Sequence, residues 1–74
     1  MYTVDIQELK KAMIDANLET IISLAESSGV DRNTIGGILN GKTRPSGAVI
    51  EKLATALRLP GEDIGRIFFA PKLA

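Results

Sequence analysis

Apolar side chains recur at three- and four-residue spacings along most of this chain, a pattern that predicts helices. A first helix is predicted near residues 5–16, with Asp5 in its first turn or at its N-cap. Strand signals are weak, because no stretch alternates apolar and polar residues for long.

Two further helices are predicted on either side of one glycine. Thr20 is a natural N-cap for the second helix, which stops at Gly29, a residue that tolerates left-handed backbone conformations. Asp31 caps the third helix, which ends at Asn40 and Gly41. The pair covers about residues 21–40.

Proline and glycine divide the rest of the chain. The residue before Pro45 is disfavoured in helical geometry, so a loop is expected there. Ser46 caps a fourth helix, and the break at 59–61 precedes a short fifth helix over roughly residues 61–69.

The chain has the size of one domain. Its 74 residues bury only about 60% of the surface that the unfolded chain exposes, so the core must be compact. The predicted fold class is all-α, five short helices in a single domain of residues 1–74 with a C-terminal tail at 70–74. No apolar run approaches the roughly 20 residues of a membrane span, and a cytoplasmic protein is expected.

Catalytic chemistry has few candidate groups. Cysteine and histidine are absent, which excludes disulfides, thiolate nucleophiles, Cys/His zinc sites and imidazole acid-base chemistry. Glu62 and Asp63 are adjacent, so on a helix they point about 100° apart rather than converging. The sequence predicts no enzyme activity, no cofactor and no metal.

The formal net charge is zero, but the charges are unevenly distributed. Residues 1–31 hold two basic and six acidic side chains, whereas residues 32–58 hold five basic and one acidic. A polyanion responds to the local potential within about one Debye length, so the basic half can attract nucleic acid despite the neutral total.

The stretch around Gly29 has the spacing of two helices that meet at a sharp turn. Ala25 is small enough for a close helix crossing, and Val30, Ile35 and Ile38 hold the third helix on the core. The opposite face of that helix is left free. Such a helix can enter the major groove of DNA while the preceding helix crosses the backbone.

The stretch LAESSGVDRNTIGGILNGKTRPSGAVIEKLATAL resembles the Cro and phage-repressor class of helix-turn-helix domains, the XRE family. The likeness covers about residues 6–69, and NGKTRPS followed by the helix IEKLATAL is its most specific part. It implies a lambda-repressor-like five-helix fold, operator binding, usually as a homodimer, and control of transcription.

By position in this family, five residues of the third helix face the bases: Arg32, Asn33, Gly36, Gly37 and Asn40. Arg32 is suited to bidentate contact with guanine, and Asn33 to contact with adenine. The alternatives are a phosphate contact or a solvated side chain for Arg32, and a tolerated exposed residue for Asn33.

Phosphate contacts are implied for Lys42 and Arg44, whose loop lies against the sugar-phosphate backbone in this family. Thr20, Thr34 and Lys10 are further candidates. The alternatives are solvated charges for the three basic residues and helix support for Thr34.

Two features depart from the family pattern. Ile21 stands where glutamine is frequent, and Gly36 and Gly37 replace bulkier polar side chains. The two glycines either allow close approach of the backbone or leave room for thymine methyl groups. The alternative is that they make no specific contact and leave readout to their neighbours and to DNA shape.

The C-terminal segment is unusually apolar. Phe68 is predicted to face the core, whereas Ile67, Phe69 and Leu73 either cap the base of the core or form a self-complementary dimer patch. In a dimer, two recognition helices about 34 Å apart read palindromic half-sites.

These features predict a sequence-specific transcriptional regulator that binds double-stranded DNA, either a Cro-like regulator of a phage or mobile element or a repressor N-terminal domain. The alternative is a protein-interaction adaptor, or an antitoxin, on the same scaffold with little DNA specificity. The zero net charge and the pair Gly36-Gly37 are consistent with that alternative.

Overall fold

The computed structural model describes residues 2–71, and helices make up most of this part of the chain. In chain order the elements are β1 (Tyr2–Thr3), α1 (Ile6–Asp15), α2 (Ile21–Ser28), α3 (Arg32–Leu39), α4 (Gly47–Leu57), α5 (Gly61–Phe68) and β2 (Ala70–Pro71). The prediction of an all-α fold with five helices is confirmed. None of the helices in this range has the length and apolar character that crossing a bilayer requires.

Side-chain caps determine where four of the helices begin. Each cap is a short polar side chain in non-helical geometry that accepts a hydrogen bond from an amide of the first turn. The predicted caps are confirmed: Asp5 for α1, Thr20 for α2, Asp31 for α3 and Ser46 for α4.

One apolar core lies between the helices. α2 packs against both α3 and α4, and α5 closes the core against α1 and α4. The side chains that solvent reaches least come from all five helices: Leu9, Leu24, Ile35, Ile38, Leu53 and Ile67. Each contributes roughly 1.5–3 kcal/mol on burial, so these contacts, rather than helix propensity, hold the short helices together.

The position of Ile67 contradicts its predicted place in an exposed dimer patch. Ile67 is only 1% exposed and lies in the core beside Phe68, whose predicted burial is confirmed. A wide apolar stripe on α5 therefore faces inward. Phe69, in contrast, is 48% exposed, and Leu73 lies outside the described residues.

The two ends of the described chain pair as a short antiparallel ribbon, which the sequence pattern did not predict. Tyr2 lies opposite Pro71, and Thr3 lies opposite Ala70. Strands of two residues are too short to show alternation. Residues 70 and 71, expected in a tail, are thus part of the fold.

Candidate nucleic-acid interface

The turn between α2 and α3 is built on a left-handed glycine. Gly29 has φ +77°, and its amide donates a hydrogen bond to the carbonyl of Ala25 at 2.9 Å. Val30 is then buried, and the Asp31 carboxylate accepts hydrogen bonds from two amides at the start of α3. This sequence of a left-handed residue, an apolar anchor and a cap ends α2 and starts α3 within three residues.

α3 is attached to the core by one face. Ile35 and Ile38 are each 1% exposed, whereas Arg32 and Asn33 are exposed in the first turn of the helix. Asn40 is exposed at the C-cap. The structure therefore places the three polar side chains predicted to read bases in solvent, with Arg32 and Asn33 together at the N-terminal end.

Ile21 and Gly36, which both depart from the family pattern, lie next to each other. A Cβ atom at Gly36 would be 3.8 Å from the Cδ1 atom of Ile21, an ordinary van der Waals contact. The isoleucine that replaces the family's glutamine thus lies beside the surface that a larger residue at position 36 would cover. Gly36 is half-buried between the two helices rather than fully open.

Gly37 has a different neighbour. A Cβ atom here would overlap the hydroxyl of Thr43 and come within 3.0 Å of the Thr43 Cβ. The carbonyl of Gly37 accepts hydrogen bonds from the amides of Lys42, at 2.9 Å, and Thr43, at 3.1 Å. Glycine at this position therefore lets the loop after α3 fold back onto the helix.

The loop after α3 presents two cations to solvent. Lys42 and Arg44 are both exposed, as the predicted phosphate contacts require. The guanidinium of Arg44 also donates a hydrogen bond to the carbonyl of Tyr2. The loop is thus held at both ends, by the carbonyl of Gly37 and by β1.

The remaining predicted phosphate contacts are Thr20, Thr34 and Lys10. The Thr20 hydroxyl takes part in a reciprocal capping box with Ser23, in which it accepts from the Ser23 amide at 3.0 Å. Thr34 is half-buried, and Lys10 is exposed on α1. Helix support therefore accounts for the hydroxyl of Thr20 without any DNA contact.

Comparison with known protein families identifies the family to which the chain belongs. A family model described as helix-turn-helix matches residues 9–64, about three quarters of the chain. The chain belongs to the XRE-type helix-turn-helix family. No significant match was found among curated proteins or solved structures.

Membership makes this helix-turn-helix protein a DNA-binding domain of the transcription-regulator type, and its partner is double-stranded DNA. The resemblance noted in the sequence is confirmed. The matched range runs from α1 into α5, so it includes both the α2–α3 pair and the basic loop.

Electrostatics favour the helix-turn-helix face for a polyanion. In residues 2–71 every salt bridge lies within α1, within α5 or between these two helices, and the side chains involved are Glu8, Lys11, Asp63 and Arg66. Arg32, Lys42 and Arg44 form no salt bridge with a carboxylate in that range. Their charge is therefore not offset by a bonded carboxylate there.

Two residues beside the helix-turn-helix face were not anticipated from the sequence. Thr43 packs over Gly37, and Tyr2 accepts the hydrogen bond from Arg44. The pair Gly37 and Thr43 carries a local signal, since a glycine six residues before a loop threonine permits such packing. The contact of Arg44 with Tyr2 has no such local signal, because the two residues are 42 positions apart in the chain.

Proposed function

We propose that this helix-turn-helix protein is a sequence-specific transcriptional regulator that places α3 in the major groove of its operator. The main support is the orientation of α3 on the core. Ile35 and Ile38 are buried in the core, whereas Arg32 and Asn33 are exposed at the N-terminal end of the helix. In this proposal the protein is a Cro-like regulator or a repressor N-terminal domain from a phage or mobile element.

The proposed base-reading set is smaller than the sequence suggests. Arg32 reads guanine, and Asn33 and Asn40 supply amide contacts, with Gly36 allowing close approach. Gly37 is not included, because Thr43 already occupies the space beside it. The remaining positions then rely on DNA shape.

The proposed backbone contacts are Lys42 and Arg44, with Thr34 and Lys10 as peripheral contributors. Such contacts orient the protein and make its affinity salt-dependent without conveying sequence information. Thr20 contributes by capping α2 and thereby keeping its N-terminus, which carries partial positive charge, close to the backbone.

The test compares Arg32→Ala with Lys42→Ala on a duplex selected from random DNA and on a scrambled duplex, by fluorescence anisotropy at several salt concentrations. Arg32→Ala should reduce the discrimination between the two duplexes by about 1–3 kcal/mol, because it removes a base contact. Lys42→Ala should weaken both complexes alike and reduce the slope of log K against log salt by about 0.9.

Two outcomes contradict these assignments. If Arg32→Ala weakens both duplexes equally, Arg32 is a phosphate contact. If the wild-type protein binds no duplex even at low ionic strength, the scaffold acts as a protein-interaction adaptor and the regulator proposal fails.

We further propose that the protein binds DNA as a homodimer on a palindromic operator. One copy has a single recognition helix, and reading two half-sites about 34 Å apart requires a second copy. Phe69 is the member of the predicted dimer patch that is both described and exposed.

A further inference from the structure

A polar cleft lies between β1 and the loop that follows α3. Its volume is about 220 Å³, and its rim carries Tyr2, Thr3, Lys42, Thr43 and Arg44. The residues that line it include two cations and three hydroxyl groups but no carboxylate. Apolar side chains of Val4, Ile6 and Ile38 also line it.

We propose that this cleft binds a phosphodiester group of the DNA backbone, and that Tyr2 and Thr3 are DNA contacts in addition to the helix-turn-helix. The inference rests on the proposed function, since it assumes that the loop faces the duplex. It extends the DNA-binding surface from the α3–α4 loop to the N-terminal strand.

The chemistry of the rim suits a phosphate anion. Phosphate oxygens only accept hydrogen bonds, and every polar side chain at the rim can donate one. Hydrogen bonds from the ammonium of Lys42 and the guanidinium of Arg44 to an anion are charge-assisted. With no carboxylate lining the cleft, no fixed negative charge within it opposes the ligand.

Arg44 connects the two walls of the cleft. One nitrogen of its guanidinium donates to the carbonyl of Tyr2, and a guanidinium carries five N–H donors in all. The remaining donors can serve a phosphate oxygen while β1 stays in place. A lysine ammonium has no such planar fork, so it cannot reproduce both contacts with the same geometry.

β1 is part of the folded domain. It pairs with β2, and the ring of Tyr2 contacts the ring of Phe69 edge to face, with centroids 6.3 Å apart. The β1 backbone and the ring of Tyr2 are therefore held in place before DNA binds. This preorganisation lowers the entropic cost of the contact.

The test uses the double variant Tyr2→Phe with Thr3→Val, which removes the two hydroxyl groups and keeps the aromatic ring and the β-branched side chain. Affinity for both the selected and the scrambled duplex should fall about 10-fold, because two neutral hydrogen bonds are lost. The salt slope should not change, since hydroxyl groups displace no counterions. Thr55→Val is the matched control, because its hydroxyl bonds to the Glu51 carbonyl on α4.

A scan with single methylphosphonate substitutions locates the contact. Replacing one charged phosphate at a time should reveal one position where the wild-type protein loses more affinity than the double variant does, because the variant keeps the Lys42 and Arg44 contacts but lacks the two hydroxyl groups. Such coupling between a protein hydroxyl and one phosphate supports the inference.

The inference is overturned if the double variant matches the wild type on every duplex while Lys42→Ala still weakens binding; the proposed function then stands. If the wild type binds no duplex at all, the proposed function itself fails. An unfolding curve of the double variant that overlays the wild type shows that any lost affinity comes from the cleft rather than from misfolding.

Discussion

At the scale of single residues, Gly36 and Gly37 differ although they are neighbours of the same type. A side chain at position 36 would meet Ile21 at an ordinary contact distance, whereas one at position 37 would overlap Thr43. Gly36 thus lies at the helix crossing and Gly37 under the loop. Packing therefore requires glycine at position 37 but not at position 36.

We expect Gly37→Ala to lower the free energy of unfolding by about 1–3 kcal/mol, because overpacking forces the loop away from α3. Gly36→Ala is the matched control, and its higher helix propensity should leave stability unchanged or raise it by up to about 1 kcal/mol. Urea denaturation measures both.

Thr43→Gly provides the second arm of this experiment. In that background the Gly37→Ala substitution should cost nothing, because the atoms that it meets have been removed. Equal destabilisation by alanine in both backgrounds contradicts the packing role of Gly37.

At the scale of elements, α1 and α5 are joined by a group of charged side chains and by a backbone hydrogen bond. The amide of Asp5, the N-cap of α1, donates to the carbonyl of Ile67 in α5 at 2.7 Å. Glu8 of α1 pairs with Arg66 of α5 and with Lys11 at 3.3 Å, and Arg66 also pairs with Asp63 at 3.2 Å. The hydrogen bonds from Lys11 and Arg66 hold the pKa of Glu8 below its ordinary value. The hydrogen bonds that the Arg66 guanidinium donates to Asp63 and Glu8 raise the pKa of Arg66.

The lowered pKa of Glu8 gives stability a defined pH dependence. The contribution is fully present above the ordinary glutamate pKa of about 4.3 and is lost as the pH falls through the lowered folded-state value. Glu8→Gln should therefore be less stable than the wild type at neutral pH, with a difference that shrinks in acid.

Thermal unfolding between about pH 7 and pH 3 measures this convergence. Glu26→Gln is the control, since Glu26 is exposed on α2 and forms no salt bridge with any residue in the range 2–71. A constant difference between wild type and Glu8→Gln at all pH values contradicts the linkage.

At the scale of the whole molecule, the dimensions of one copy bear on the proposed homodimer. The domain measures 34 × 24 × 20 Å, so its longest axis is comparable to one turn of the double helix. In the proposed dimer, each copy covers one half-site of the palindrome. The aromatic pair formed by Tyr2 and Phe69 is the exposed apolar feature that the ribbon adds to this surface.

We expect Phe69→Ser to weaken self-association and to reduce binding to a full palindrome more than binding to a single half-site. Phe69 is 48% exposed and lies outside the buried core, so the domain itself should stay folded. Sedimentation velocity and binding stoichiometry provide the measurements. Ile67→Ser is the contrasting variant, and it should unfold the domain because Ile67 is buried.

If Phe69→Ser and the wild type bind the palindrome with the same affinity and the same stoichiometry, Phe69 is not part of the dimer interface. Binding of the variant to the single half-site then shows whether the domain binds DNA as a monomer.

Much of the fold and of the site follows from local signals. Asp5, Thr20, Asp31 and Ser46 were each identifiable as caps, because capping involves an amide only two or three residues away. The left-handed Gly29 follows in the same way from glycine chemistry. The helix boundaries and the exposed end of α3 were therefore predictable from the sequence.

The features that were missed depend on residues far apart in the chain. The pairing of β1 with β2, the burial of Ile67 and the bond from Arg44 to Tyr2 are made only when distant segments meet. Periodicity within one helix identifies an apolar stripe but not which of its edges a neighbouring helix covers. For that reason the amino-acid order determined the helices, their caps and the DNA-binding motif, whereas tertiary packing decided the terminal ribbon, the polar cleft and the buried edge of α5.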